Sequence, residues 1–91
     1  MRHLIWQPKA RAQLKAIILY IADRNYPAAI RLESSILHHV DHLRALPFIG
    51  RPGKVAGTRE LVVHPNYILI YRVGEEAVEI IRVLHAHQQY P

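Results

Sequence analysis

The chain has 91 residues, of which 51% are hydrophobic and 21% are charged, and 12 Lys and Arg side chains against 7 Asp and Glu give a formal net charge of +5. This length fits a single domain over residues 1–91 and excludes a multidomain enzyme, because domains are commonest at about 100–150 residues. The absence of cysteine excludes disulfide-stabilised scaffolds, thiolate metal sites and cysteine nucleophiles. The positive charge favours an anionic partner, either nucleic acid or an acidic protein.

The apolar pattern of the chain predicts neither a signal peptide nor a membrane span. The N-terminal residues lack the apolar run of a signal peptide, and no window approaches the ~18 apolar residues that a membrane span needs. We therefore expect a cytoplasmic protein with no membrane partner.

The N-terminal half predicts a short strand followed by a helical hairpin. Residues 2–6 lean apolar, and Pro8 is well placed for the first turn of a helix. Apolar residues then recur at spacings of three and four up to about Arg24, which predicts an amphipathic helix with a basic outer face. Residues 25–27 interrupt it, and a second helix should run from Pro27 to near Leu46. The outer face of the first helix carries Lys9, Arg11 and Lys15.

The C-terminal half predicts an exposed loop and a meander of strands. Residues 47–57 concentrate glycine and proline around the basic side chains Arg51 and Lys54. Three runs of β-branched and aromatic residues follow, separated by short turns: Glu60–Val63, Tyr67–Val73 and Val78–Leu84.

These elements predict an α+β fold in the order β-α-α-β-β-β, with a helical hairpin packed on a mainly antiparallel sheet. The last two strands are apolar on both faces. We expect the helices to cover one face of the sheet and a partner protein to cover the other.

Seven histidines raise the question of a metal site. His38 and His42 are four apart on the second helix, beside His39, and His85 and His87 lie near the C-terminus. Imidazole pairs at such spacings can chelate zinc, but no Asp or Glu at helical spacing supplies a third ligand, and the glutamate of the metalloprotease pattern is missing. We therefore interpret them as histidines of a polar face and expect no metal and no other cofactor.

A second candidate set consists of basic residues around the predicted sheet. Strict alternation puts Arg82 on the face of Val78, Ile80 and Leu84, where it either pairs with Glu60 or lines a phosphate-binding cleft. The basic side chains of this set are Arg51, Lys54, Arg59, Arg72 and Arg82.

The C-terminal residues supply groups for proton transfer. His85, His87 and Tyr90 could serve acid–base cleavage of RNA beside an arginine, or could be ordinary surface residues of a frayed terminus. No glycine-rich phosphate loop, serine nucleophile elbow or aromatic RNA-binding signature is present.

Several short segments between residues 4 and 87 are informative in their order and spacing. They are Trp6 with Ala10 and Leu14, Ile17, Tyr20-Ile21, Ala29, Leu46-Pro47 with Gly50-Arg51, Gly57 to Leu61, Tyr67-Ile68 with Tyr71-Arg72-Val73, and Val78 to His85. Through these segments the chain resembles the RelE/ParE superfamily of toxins from type II toxin–antitoxin modules.

The resemblance implies one of two activities. ParE-like members inhibit DNA gyrase, and the stretches 64–68 and 78–85 are more similar to theirs. RelE-like members cleave mRNA on the ribosome with basic residues on the middle strands, where this chain has Leu61 and Ile68.

Each activity implies its own residues, and fold alone does not choose between them. We favour gyrase inhibition, with Lys9, Arg11, Lys15, Arg51 and Lys54 contacting the target. The alternative is a ribosome-dependent endoribonuclease with Arg59, Arg82, His85 and Tyr90 as its site. A third hypothesis is an inactive homologue that only binds its antitoxin.

The resemblance also implies a cognate antitoxin and therefore a hetero-oligomer. We expect a short, acidic, partly disordered chain that folds over the sheet, because a basic surface attracts it.

Overall fold

The computed structural model describes residues 1–90 as a strand, two helices and four further strands. This confirms the α+β class and the predicted order, with one added strand. The elements are β1 (His3–Trp6), α1 (Pro8–Ala22), α2 (Tyr26–His42), β2 (Arg51–Pro52), β3 (Arg59–His64), β4 (Tyr67–Val73) and β5 (Ala77–His85).

Local sequence sets the start of both helices. Pro8 lies in the first turn of α1, where a backbone N–H has no partner within the helix and its loss costs nothing. Asn25 caps α2, because its side-chain oxygen accepts the N–H of Ala28 at 3.1 Å. One stripe of α2 is then buried, and it consists of Ala29, Leu32, Ile36 and Val40.

The second helix ends at His42, so the prediction that it continues to near Leu46 was wrong. From Leu43 to Ala45 the backbone hydrogen bonds contract to the tighter i→i−3 spacing, as between Leu43 N–H and Val40 O at 3.0 Å. This turn leads the chain away from helical geometry before Pro47, which disfavours the α conformation in the residue that precedes it.

The five strands form one mixed sheet in the order β1-β5-β4-β3-β2. The edge strand β1 runs parallel to β5, and every other pair is antiparallel. The added strand β2 lies inside the predicted loop 47–57 and consists of two residues. Its pairing with β3 defines it, and two residues carry no periodicity from which it could have been predicted.

A bulge in β5 divides the strand into two registers. Tyr71 of β4 pairs with Ile80, whereas its neighbour Ile70 pairs with Arg82, so Ile81 is an extra residue. Paired residues point to the same side of a sheet. The bulge therefore reverses the alternation that the sequence predicted for the end of β5.

The two faces of the sheet carry separate apolar clusters. The helices pack on one face, which we call the helix face, and its buried residues include Leu69, Tyr71, Val78, Ile80 and Val83. The opposite side, which we call the open face, carries the buried residues Ile68, Ile70, Leu84 and Tyr90.

Neither helix within residues 1–90 is long and apolar enough to cross a membrane.

Candidate functional site

The C-terminal segment covers the centre of the open face. Tyr90 is only 9% exposed and packs with Ile68, Ile70 and Leu84. The turn that leads to it is fixed by Ala86 N–H, which donates to Asn66 O at 2.7 Å. Tyr90 is therefore a packed side chain rather than part of a frayed terminus, and this chain covers part of the face that we had reserved for a partner.

Arg82 lies on the open face, not beside Val78 and Ile80 as predicted, because the bulge moves it to the side of Ile70 and Leu84. Its side chain is half-buried, and its buried Nε has no hydrogen-bond partner among residues 1–90. This buried N–H is left without an acceptor among these residues, and only a group that reached it through the covering side chains could supply one.

The predicted pairing of Arg82 with Glu60 was also wrong. Glu60, which is 7% exposed, accepts a hydrogen bond from Arg51 Nε at 2.7 Å. The pair spans β2 and β3, where Arg51 and Glu60 stand directly opposite each other. The buried carboxylate of Glu60 is satisfied by Arg51 on the neighbouring strand, because Arg82 lies farther away, on the other side of β4.

The second loop lysine contacts the C-terminal segment. Lys54 Nζ lies 4.8 Å from the centroid of the Tyr90 ring, and its backbone N–H is 3.5 Å from the Tyr90 hydroxyl. Arg51 and Lys54 are both exposed, yet each directs a polar group to a neighbour in its own chain.

The structure does not bring the four candidate nuclease residues together. Arg82 and Tyr90 share the open face. Arg59 pairs with Tyr71 and His85 pairs with Tyr67, and both of these tyrosines belong to the cluster on the helix face.

The imidazole of His85 contacts groups on its own side of the sheet. His85 Nδ1 accepts the N–H of His87 at 3.2 Å, and its ring centroid is 5.5 Å from that of Tyr67. His85 also lines a groove between α1, the start of β4 and the end of β5, together with Gln13, Tyr20, Tyr67 and Gln88 among others.

The basic residues of α1 form a separate surface. Lys9, Arg11 and Lys15 are all exposed. Arg11 and Lys15 border an apolar groove of about 460 Å³ between α1 and α2, with Leu14, Ile18 and Leu37 among its lining residues. Glu33 also lines this groove, so charges of both signs border its apolar floor, which suits a protein partner with apolar and charged side chains.

The loop after α2 is fixed from beneath by Tyr71. The Tyr71 hydroxyl donates to Pro47 O at 2.7 Å and accepts the N–H of Gly50 at 2.9 Å. Arg59 Nη1 donates to Gly50 O at 2.7 Å. Burial raises the pKa of Tyr71 above 10.0, against the opposing effects of the Gly50 N–H and the Arg59 charge.

Within the part of the chain that the structure describes, the histidines form no group of three or more potential metal ligands with one another or with carboxylates. The rings of His38 and His42 lie 4.4 Å apart on α2, and His39 Nδ1 is 2.7 Å from Ser35 O.

The family of this chain follows from comparison with known proteins. Residues 4–90 match the profile of the ParE toxin of the type II toxin–antitoxin system parDE. The chain belongs to the ParE toxin family. This confirms the predicted RelE/ParE superfamily resemblance and makes the protein a toxin of a type II system, whose partner is an antitoxin.

Individual relatives agree with this assignment over nearly their whole length. Y4kP of Sinorhizobium fredii is 41% identical over 91 residues, which cover 99% of this chain and 94% of the relative. Toxin RelE2 of Caulobacter vibrioides is 37% identical over 86 residues, or 94% of this chain and 97% of the relative. A structure of the chromosomal ParDE toxin–antitoxin system of P. aeruginosa contains a similar chain, with a TM-score of 0.81, 29% identity and coverage of 93% of this chain and 96% of that one.

Sequence reasoning missed the apolar part of the loop. Leu46, Phe48 and Ile49 are all more than half exposed, at 57%, 59% and 51%. Phe48 and Ile49 lie in the segment 47–57 that was predicted to be an exposed loop, and Leu46 directly precedes it; large apolar residues at such a place were the signal that could have identified these exposed side chains.

Proposed function

We propose that this toxin arrests growth by binding and inhibiting DNA gyrase, and that an acidic antitoxin neutralises it. The observation that carries the proposal is that the His85 imidazole and Arg82 lie on opposite faces of the sheet, while Tyr90, which shares the face of Arg82, is buried. His85 lies on the helix face, and Tyr90 is packed beneath the loop. A nuclease needs a proton donor and acceptor beside its cationic groups, whereas an inhibitor that acts by binding needs only a recognition surface.

The exposed basic face of α1 supports a binding mechanism. Lys9, Arg11 and Lys15 form no ion pair with another residue among 1–90. Their charges are therefore available to an acidic partner, and unpaired charges on a surface increase the rate of association with one.

A supercoiling assay tests this proposal directly. The purified toxin is added to purified DNA gyrase with relaxed plasmid and ATP, and supercoiled product is followed on a gel. We expect inhibition that depends on toxin concentration. Full gyrase activity in the presence of folded toxin would contradict the proposal.

A ribosome-dependent mRNA endonuclease is the second candidate, and one observation favours it. Arg82 and Tyr90 share the open face, and the buried Nε of Arg82 has no partner within residues 1–90. If the C-terminal segment moved, both groups would be exposed together. Cleavage of ribosome-bound mRNA by the wild-type toxin, lost in Arg82→Ala, would support this candidate over gyrase inhibition.

A further inference from the structure

The loop after α2 presents contiguous apolar side chains to solvent. Leu46, Phe48 and Ile49, which we call the loop patch, are 57%, 59% and 51% exposed. They lie within four consecutive positions of the chain, and Ile49 N–H points to Leu46 O at 3.5 Å. Single exposed apolar residues are normal, but a contiguous group is typical of an interaction site.

The backbone beneath the loop patch is held in place. The Tyr71 hydroxyl bonds Pro47 O and Gly50 N–H, on either side of Phe48 and Ile49. The approach is so close that a Cβ at Gly50 would lie 2.6 Å from the Tyr71 hydroxyl oxygen. The side chains are therefore exposed on a pre-organised support, which lowers the entropy cost of binding through them.

Two arginines flank the aromatic ring of the patch. The guanidinium carbons of Arg2 and Arg59 lie 5.6 and 5.1 Å from the centroid of Phe48. Arg2 uses Nε to bond Gly74 O, and Arg59 uses Nη1 to bond Gly50 O. Neither forms an ion pair with another of residues 1–90, so each keeps guanidinium donors for a carboxylate.

We propose that the loop patch is the point at which this toxin docks on the protein it inhibits, with Phe48 inserted into an apolar pocket bordered by Asp or Glu. Aromatic and arginine side chains are the residues that most often dominate the energy of protein interfaces. The inference rests on the proposed function only in taking the target to be a protein.

The chemistry of the patch favours a folded protein over the other possible occupants. The apolar side chains of Leu46 and Ile49 would contribute little binding free energy against the phosphate backbone of a nucleic acid, since nucleic-acid interfaces are polar and strongly charged. A protruding side chain on a rigid loop needs a preformed pocket, which a partly disordered antitoxin does not offer. Arg51 and Lys54 are exposed but already direct groups to Glu60 and Tyr90, so we consider the patch a better candidate than these two residues for the central contact with the target.

The test compares two exposed aromatic residues. Phe48→Ser removes the ring from the patch, and Tyr26→Ser removes a ring that is 66% exposed at the start of α2. Each variant is induced in cells to measure growth arrest, and each purified protein is unfolded in denaturant to confirm its stability. Binding of purified gyrase and of a fluorescein-labelled single-stranded RNA is measured in parallel.

We expect Phe48→Ser to lose growth arrest and to bind gyrase about tenfold or more weakly, while Tyr26→Ser behaves as wild type. Arg2→Glu should weaken gyrase binding in the same direction. Full growth arrest by stable Phe48→Ser would overturn the proposal. So would a Phe48→Ser variant that loses growth arrest and RNA binding but still binds gyrase as tightly as the wild type.

The two proposals fail in different ways. A wild-type toxin that arrests growth without binding gyrase removes gyrase as the target, and the growth assay of Phe48→Ser then still decides the role of the patch. A wild-type toxin that arrests nothing overturns both.

Discussion

Tyr71 and Tyr90 are both buried, but they use their hydroxyl groups differently. The Tyr71 hydroxyl makes two short hydrogen bonds to the loop backbone, at 2.7 and 2.9 Å. Within residues 1–90 the Tyr90 hydroxyl has one hydrogen-bond partner, Lys54 N at 3.5 Å, so the ring of Tyr90 supplies most of its interaction there. Removal of each hydroxyl should therefore have different consequences for stability.

Tyr71→Phe should lower the free energy of unfolding by about 2–4 kcal/mol, because it leaves Pro47 O and Gly50 N–H buried without a partner. Chemical denaturation at neutral pH measures the change. Tyr67→Phe is the matched control, since Tyr67 lies on the same strand and none of residues 1–90 bonds its hydroxyl. An equal, small effect of both substitutions would show that the loop does not depend on Tyr71.

The raised pKa of Tyr71 predicts a loss of stability in alkali. Burial makes the folded state hold the Tyr71 proton more tightly than the unfolded state does. The stabilisation that neutral Tyr71 gives the folded state is therefore complete below pH 10.0 and is lost as the pH rises through the pKa of Tyr71 in the folded state. Between pH values below and above 10.0, the denaturant midpoint should fall more steeply with pH for the wild type than for Tyr71→Phe. Parallel curves would contradict the predicted shift.

Tyr90→Phe tests whether the hydroxyl has a catalytic role. If the toxin acts by binding gyrase, Tyr90→Phe should keep full growth arrest and lose less than about 1 kcal/mol of stability, since it removes one long contact. Tyr90→Ala should lose about 2–4 kcal/mol because it uncovers Ile68, Ile70 and Leu84. Loss of growth arrest in a stable Tyr90→Phe protein would favour the endonuclease.

At the scale of single elements, α1 combines structural and recognition roles. Its apolar stripe packs against α2 and the sheet, although Ala10 is its only fully buried residue. Its outer face carries exposed basic groups, two of which border the groove between the helices. Charge changes on that outer face should therefore affect binding far more than folding.

Reversal of the α1 charges, with Lys9, Arg11 and Lys15 all replaced by Glu, should abolish inhibition of gyrase. The helical circular dichroism signal should remain, because the three side chains are exposed and form no ion pair with residues 1–90. Replacement of all three by Gln is the control that separates lost attraction from new repulsion. Unchanged inhibition by the folded Glu variant would exclude this face from the gyrase contact.

At the same scale, apolar periodicity predicted the helices and the last three strands, because each depends on side chains of its own segment. The bulge at Ile81 could not be predicted in this way, since it is defined by the pairing of β5 with β4. The position of Tyr90 was equally hidden, because the segment after His85 has no periodicity and is fixed by contacts with distant strands. The candidate site was thus predicted by residue type but not by arrangement.

At the scale of the whole molecule, the basic net charge and the presence of separate exposed surfaces on α1 and on the loop favour a protein that acts by binding. The formal net charge is +5, and the exposed basic groups of α1 lie apart from the loop patch in the sequence. The open face carries an unpartnered Arg82 Nε within residues 1–90 and an apolar centre closed by Tyr90. An acidic antitoxin that covers the basic groups would neutralise the toxin by competition with its target.

The most direct test of gyrase as the target is pulse-labelling of cells immediately after the toxin is induced without antitoxin. DNA synthesis and protein synthesis are followed separately with labelled thymidine and labelled methionine. If gyrase is the target, DNA synthesis should stop first and a DNA-damage response should follow, while translation initially continues. Early arrest of translation, with mRNA cut on ribosomes, would contradict this account and would identify the open face around Arg82 as the active site.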